Sequence, residues 1–113
     1  MSGLTTHVLD TMHGRPAAGV ALRLLKAGEE VAHALTNRDG RCDQPLLDGD
    51  ALKAGAYRLE FDVGAYYRAL GVELPRPAFL ETVVVEFSIA DPAASHHVPL
   101  LVCPFGYSTY RGS

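Results

Sequence analysis

The strongest structural signal in the chain is the stretch Thr82-Val83-Val84-Val85-Glu86-Phe87-Ser88-Ile89. It is short, rich in β-branched residues and followed by Asp91-Pro92, a combination that predicts a β-strand. Turn signals such as Asn37-Arg38-Asp39-Gly40 separate it from other segments of the same character and indicate an all-β, antiparallel sandwich. The six other predicted strands cover residues 4–11, 20–27, 30–36, 56–62, 97–103 and 107–111.

One segment departs from the strand pattern and predicts a short helix over residues 63–70. Asp62 is suited to cap its first turn, Gly71 is suited to end it, and Pro75 cannot continue it. No repeat, low-complexity tract or linker interrupts the chain, so we expect residues 1–113 to form a single domain.

Composition limits the classes of function that the chain can have. A net charge of -3 over 113 residues leaves no broad basic surface for nucleic acid or for an anionic membrane. The N-terminus lacks the pattern of a secretory signal, and no apolar run is long enough to span a membrane. Cys42 and Cys103 are therefore expected to be free thiols, and the predicted location is the cytoplasm.

Two histidines far apart in the sequence are candidates for a shared site. Alternate residues of a strand face the same side, so His7 shares its face with Leu9, and His97 shares its face with Pro99 and Leu101. Ser108 and Tyr110 share a face of the last predicted strand in the same way. If these strands are neighbours, the four side chains form one polar, titratable patch.

Each candidate also has an ordinary structural interpretation. A strand histidine usually faces solvent or bonds to one backbone carbonyl, and this remains our interpretation of His13 and His33. His96 points to the face opposite that of His97, so at most one of the two belongs to the patch. A metal site is disfavoured because neither His-x-His nor Cys-x-x-Cys occurs and no third ligand is identified. We expect neither a metal nor a cofactor.

Arg41 follows the turn Asp39-Gly40 and would ordinarily be a solvated loop residue. Its guanidinium offers a planar fork of donors, which gains a function only beside an anionic or carbonyl-bearing ligand. Cys103 is more often a small apolar filler than a nucleophile. The polar end Arg111-Gly112-Ser113 would be frayed in most proteins. From the residues alone, these alternatives stay open.

Three parts of the chain resemble the 5-hydroxyisourate hydrolases, a family built on the transthyretin fold. The first is Leu4-Thr5-Thr6-His7-Val8-Leu9-Asp10 with Gly14-Arg15-Pro16-Ala17, and the second is Thr36-Asn37-Arg38-Asp39-Gly40-Arg41. The third runs from His97-Val98-Pro99-Leu100-Leu101 to the closing Tyr110-Arg111-Gly112-Ser113, which is the hallmark tetrapeptide of that family. The resemblance extends over nearly the whole chain.

The resemblance implies an eight-stranded transthyretin-like (prealbumin-like) sandwich with one short helix. It also implies a homotetramer, a dimer of dimers, with active sites in a channel between subunits. The implied reaction is hydrolysis of 5-hydroxyisourate, the product of urate oxidation, to 2-oxo-4-hydroxy-4-carboxy-5-ureidoimidazoline. The implied catalytic residues are His7 and His97, which activate water, and Arg41, which stabilises the oxyanion. The implied substrate-binding residues are Ser108, Tyr110, Arg111 and Ser113.

Transthyretin, a hormone carrier with the same fold, provides the alternative. Transthyretins have lysine at the position of His7, threonine at that of His97, and no Tyr-Arg-Gly-Ser ending. Tyr110 would also narrow the channel that is open in the carrier. A carrier without chemistry is therefore the second hypothesis, and a structural adhesion domain is a distant third.

Overall fold

The computed structural model describes residues 3–112, which form two packed β-sheets and one α-helix, α1 (Val63–Ala69). No helix in this range is both long and apolar enough to cross a membrane. A short 3₁₀ turn covers Gly49–Ala51. The strands are β1 (Gly3–Asp10), β2 (Arg15–Pro16), β3 (Ala21–Lys26), β4 (Glu29–Leu35), β5 (Leu47–Asp48), β6 (Gly55–Asp62), β7 (Thr82–Ile89), β8 (His96–Cys103) and β9 (Gly106–Thr109).

The predicted β-sandwich is confirmed. One sheet has the order β2-β1-β8-β9, with β5 also pairing with β1, and the other has the order β4-β3-β6-β7. Two details differ from the prediction. β1 and β8 run parallel, which is possible because no short turn joins them. The residue patterns predict seven strands, and the two-residue strands β2 and β5 are too short to show alternation. They bring the number within residues 3–112 to nine, one more than the eight that the resemblance implies.

Alternation along the long strands decides which face carries the core. Leu4 and Val8 of β1 are fully buried between the sheets, and Leu100 of β8 lies beside Val8. Burial of an aliphatic side chain of this size stabilises the fold by about 1.5–3 kcal/mol. The alternate residues Thr5 and His7 consequently face away from the core, on the outer surface of the sheet. The opposite sheet contributes the buried side chains of Leu22, Leu24, Leu59, Phe61, Val83 and Val85.

Helix α1 begins where the sequence predicts, but its cap differs. Asp62 occupies the N-cap position, yet its side chain makes no capping hydrogen bond. Its carboxylate instead accepts a hydrogen bond from Nη1 of Arg23 on β3 at 3.4 Å. The predicted side-chain cap is therefore wrong. Gly71, with φ of 84°, ends the helix as predicted.

A buried carboxylate ties α1 to the end of β1. Asp10 is 1% exposed and accepts hydrogen bonds from the hydroxyls of Tyr66 and Tyr67 at 2.7 and 2.8 Å. Nδ1 of His13 lies 2.6 Å from the same carboxylate. Burial on its own would raise the pKa of Asp10, but the bonds from His13, Tyr66 and Tyr67 outweigh it and lower that pKa. The partner of His13 is thus the carboxylate of Asp10, and not solvent or a backbone carbonyl as the sequence interpretation had it.

Candidate active site

An open cleft of about 570 Å³ lies on the outer face of β1 and β8. Its volume is in the range of small-molecule sites, about 300–1,000 Å³. The polar side chains that give the cleft its chemistry include those of Thr5, His7, Arg41, His97 and Tyr110.

The parallel pairing of β1 with β8 brings the two histidines together. In this register Thr5 lies opposite His97, and His7 lies opposite Pro99. Residues two apart on one strand share a face, so His7 and His97 occupy diagonal positions on the outer surface of the same strand pair. Both line the cleft.

Arg41 enters the cleft from the loop that follows β4. It forms an isolated antiparallel bridge with His7, and the backbone N–H of Val8 donates to the carbonyl oxygen of Gly40 at 2.8 Å. Gly40 has φ of 75°, and a Cβ at this position would collide with the carbonyl oxygen of Val8. Glycine is therefore required for the loop to lie so close to β1. Asn37 stabilises the turn by accepting the backbone N–H of Arg41 at 3.2 Å.

One ring nitrogen of each histidine is hydrogen-bonded within the protein. Nε2 of His7 lies 2.9 Å from the carbonyl oxygen of Asp39, and because a carbonyl only accepts, His7 donates from Nε2. Nδ1 of His97 lies 2.8 Å from Oγ1 of Thr5, and a hydroxyl can donate or accept. This leaves Nδ1 of His7 and Nε2 of His97 as the nitrogens that can meet a ligand.

The electrostatics of the cleft favour a neutral His97 beside a fixed positive charge. Burial lowers the pKa of His97, and the positive charges of Arg41 and His7 lower it further. His97 is therefore neutral near pH 7 and can accept a proton. The guanidinium of Arg41, a planar fork of hydrogen-bond donors, lines the same cleft. This combination suits the activation of water next to a polarised carbonyl group.

The end of the chain lies directly against His97. The backbone N–H of Gly112 donates to the carbonyl oxygen of His97 at 2.8 Å. A Cβ built on Gly112 would lie only 2.5 Å from Cδ2 of the His97 ring, so the close packing depends on the missing side chain. Tyr110 lines the same cleft and is 60% exposed.

The other predicted binding residues lie elsewhere. Ser108 is exposed on β9 opposite Leu101, beyond the residues that line the cleft of this chain. Nη2 of Arg111 lies 3.5 Å from the carbonyl oxygen of Ser95, and Arg111 lines a neighbouring groove next to β7. Ser113 lies outside the described residues.

Sequence reasoning missed Thr5, the residue that contacts the ring of His97. The signal was present, because Thr5 shares its strand face with His7 by simple alternation. No group of three or more His, Cys, Asp or Glu side chains within residues 3–112 is arranged to hold a metal ion.

The packed sheets and the histidine–arginine cleft define a β-sandwich with a site suited to acid–base chemistry. A sequence model of the HIUase/Transthyretin family matches residues 4–112, and the chain belongs to this family. It is 55% identical to the 5-hydroxyisourate hydrolase of Ralstonia nicotianae over 100% of both chains. Among solved structures, Klebsiella pneumoniae 5-hydroxyisourate hydrolase matches with a TM-score of 0.85 and 37% identity over 100% of both chains. Sea bream transthyretin in complex with thyroxine matches with a TM-score of 0.84 and 28% identity, over 97% of this chain and 94% of that one.

Proposed function

We propose that this chain hydrolyses 5-hydroxyisourate. The observation that carries the proposal is the single cleft in which His7, Arg41 and His97 meet. The full-length identity of 55% to a protein named for this activity supports it. The three residues supply a proton acceptor, a proton donor and a positive charge, which are the groups that opening a cyclic amide needs.

In the proposed mechanism, water attacks a carbonyl carbon of the six-membered ring. The His7/His97 pair takes the proton that water loses as the new C–O bond forms, a contribution of ~10²–10⁴-fold for general base catalysis. Arg41 donates hydrogen bonds to the carbonyl oxygen as it becomes an oxyanion, which is worth about 3–4 kcal/mol for such a donor. The C–N bond of the ring then breaks, and the proton passes from the imidazolium to the leaving nitrogen.

The test is to generate 5-hydroxyisourate in situ with urate oxidase and to follow the decay of its ultraviolet absorbance. We expect His7→Ala, Arg41→Ala and His97→Ala to remain folded and to lose most of the decay above the spontaneous background. His33→Ala is a matched control, since His33 is exposed on β4 and pairs only with Glu30 among the described contacts. Wild-type turnover by folded His97→Ala would contradict the assignment.

We further propose that the protein is a homotetramer, a dimer of dimers, in which facing subunits close the cleft. Among the described strands, β7 and β9 are terminal in their sheets, so each has an edge without a strand partner at which a second copy can pair. Phe105 and Tyr107, which flank the first residue of β9, are 65% and 47% exposed although they are large and apolar. Ser108, Arg111 and Ser113 would complete the binding sites of this assembly. Light scattering at several protein concentrations checks the mass.

A carrier of small aromatic ligands is the second candidate, favoured by the likeness to the sea bream transthyretin solved with thyroxine. The two histidines in the cleft weigh against the carrier hypothesis, because binding without chemistry does not require a neutral proton acceptor beside an arginine. Equilibrium binding of thyroxine without any effect on 5-hydroxyisourate decay would favour the carrier.

The proposed location is the cytoplasm. Cys42 and Cys103 are both free thiols, in keeping with a reducing compartment. Fractionation of cells that express the tagged full chain would test this location.

A further inference from the structure

Thr5 is an exposed residue of β1, yet its hydroxyl contacts the ring of His97 in the cleft. Oγ1 of Thr5 is 2.8 Å from Nδ1 of His97, the residue opposite it on β8. The next residue, Thr6, is buried, and its hydroxyl donates to the carbonyl oxygen of Val98. The hydroxyl of Thr6 therefore stabilises the β1/β8 pairing inside the sandwich, whereas the hydroxyl of Thr5 contacts a histidine of the cleft.

The Thr5 contact bears on which nitrogen of His97 carries its proton. A neutral imidazole has one N–H and one lone pair. If Nδ1 carries the hydrogen, it donates to Oγ1 of Thr5 and leaves the lone pair on Nε2, the outer nitrogen of the ring. If Nε2 carries the hydrogen, that nitrogen cannot accept a proton from water. Burial, and then the positive charge of Arg41, favour the neutral form of this ring, in which one nitrogen carries a lone pair.

The same ring is confined from the other direction by the end of the chain. Gly112 bonds through its backbone N–H to the carbonyl oxygen of His97 and leaves no room for a Cβ beside Cδ2. The ring is thus held between a hydroxyl at Nδ1 and a backbone at Cδ2. A ring held at both places has one orientation toward the cleft.

We propose that Thr5 is a positioning residue that accepts the Nδ1–H of His97 and so makes Nε2 of His97 the general base. The inference rests on the proposed hydrolysis and adds a residue to it. His7 is less suited to this task, because its outer nitrogen, Nε2, already donates to the carbonyl oxygen of Asp39. His7 instead lines the cleft next to Arg41, with its ring held by the carbonyl oxygen of Asp39.

The experiment compares Thr5→Val, which keeps the β-branched shape without the hydroxyl, with Thr5→Ser, which keeps the hydroxyl. Hydrogen-bond partners that orient metal-ligating histidines are worth ~10- to 100-fold in activity. On the same scale, kcat of Thr5→Val should fall by that amount with little change in KM. Thr5→Ser should recover most of the loss. The matched control is Thr11→Val, because Thr11 is exposed and its hydroxyl donates only to the carbonyl oxygen of Val102 among the described contacts.

The pH profile separates positioning from a general structural effect. An acceptor at Nδ1 stabilises the imidazolium more than the neutral ring, because the bond is then charge-assisted. Removing the hydroxyl should therefore lower the pKa of His97 and move the acidic limb of kcat/KM to lower pH. The other titratable or charged side chains lining the cleft among the described residues, which Thr5→Val leaves unchanged, are those of His7, Arg41, Asp48, His96 and Tyr110.

A direct reading of the ring uses ¹⁵N spectra of the histidine side chains in the ligand-free wild-type protein. The proposal requires that the neutral ring of His97 carries its hydrogen on Nδ1. It also requires that the ring no longer favours this tautomer in Thr5→Val. A neutral His97 protonated on Nε2 would overturn it, as would wild-type kcat and an unmoved acidic limb in Thr5→Val. This measurement needs no turnover, so an inactive wild-type protein would refute the hydrolysis while the role of Thr5 is still decided by the spectra.

Discussion

Replacement of Gly112 by alanine tests whether the chain end must pack directly on the imidazole of His97. The added methyl would lie 2.5 Å from Cδ2 and 3.2 Å from Cγ of the ring. Carbon atoms in contact settle at about 3.5–4.0 Å, so the ring and the chain end must separate by about 1 Å. A displacement of about 1 Å at a reacting group lowers the rate by ~100-fold. That factor corresponds to a loss of about 2.7 kcal/mol of transition-state stabilisation.

Gly106→Ala is the matched control for this change. A Cβ on Gly106 has Sγ of Cys103 as its nearest neighbour at 3.8 Å, which is an ordinary contact. Both variants are assayed by the decay of 5-hydroxyisourate and by thermal unfolding. We expect Gly106→Ala to turn over like wild type. Gly112→Ala should lose turnover while unfolding near the wild-type temperature, because Gly112 lies outside the buried core cluster. Equal turnover of the two variants would refute the reasoning.

Three further predictions follow from the described contacts. Activity should persist as pH falls below about 6.5, the ordinary pKa of histidine, because burial and then nearby positive charge lower the pKa of His97; a kcat/KM profile against pH measures this. Asp10→Asn should lower the free energy of unfolding by about 3 kcal/mol, since each hydrogen bond to a charged group contributes about 1.5–3 kcal/mol. In urea titrations this difference should be full above pH 3.8, the ordinary pKa of the carboxyl, and should vanish as pH falls through the lowered pKa of folded Asp10. Gly40→Ala should destabilise the fold by about 1–3 kcal/mol from its positive φ alone and should displace Arg41, so that thermal unfolding and turnover both fall.

The long strands could be predicted because one of their faces is buried. In β7 the inward residues Val83, Val85 and Ile89 alternate with polar or exposed ones, and the predicted bounds are those of the structure. The shared surface of His7 and His97 also follows from alternation. Their register does not, because β1 and β8 are distant in sequence and no turn between them determines the pairing.

The features that the sequence could not predict depend on contacts between residues far apart in the chain. The turn before Arg41 was evident, but its position over β1 depends on the approach of Gly40 to Val8, which no local pattern encodes. Asp62 has the sequence signature of a cap, yet Arg23 of a neighbouring strand binds its carboxylate. From the sequence, Thr5 is indistinguishable from an ordinary surface residue, because its position opposite His97 depends on the pairing of β1 with β8.

The parallel pairing of β1 with β8 has a consequence for biosynthesis. β1 cannot pair with its permanent neighbour until the residues of β8, which follow β3, β4, β6 and β7 in the chain, have also emerged from the ribosome. Meanwhile β3, β4, β6 and β7 can assemble among themselves, since all of their partners precede β8. Such late, non-local pairing is slow compared with local contacts. The pairing that brings His7 and His97 to one surface therefore forms late, and a nascent chain that stalls before that point carries an unsatisfied strand edge, a hazard for aggregation.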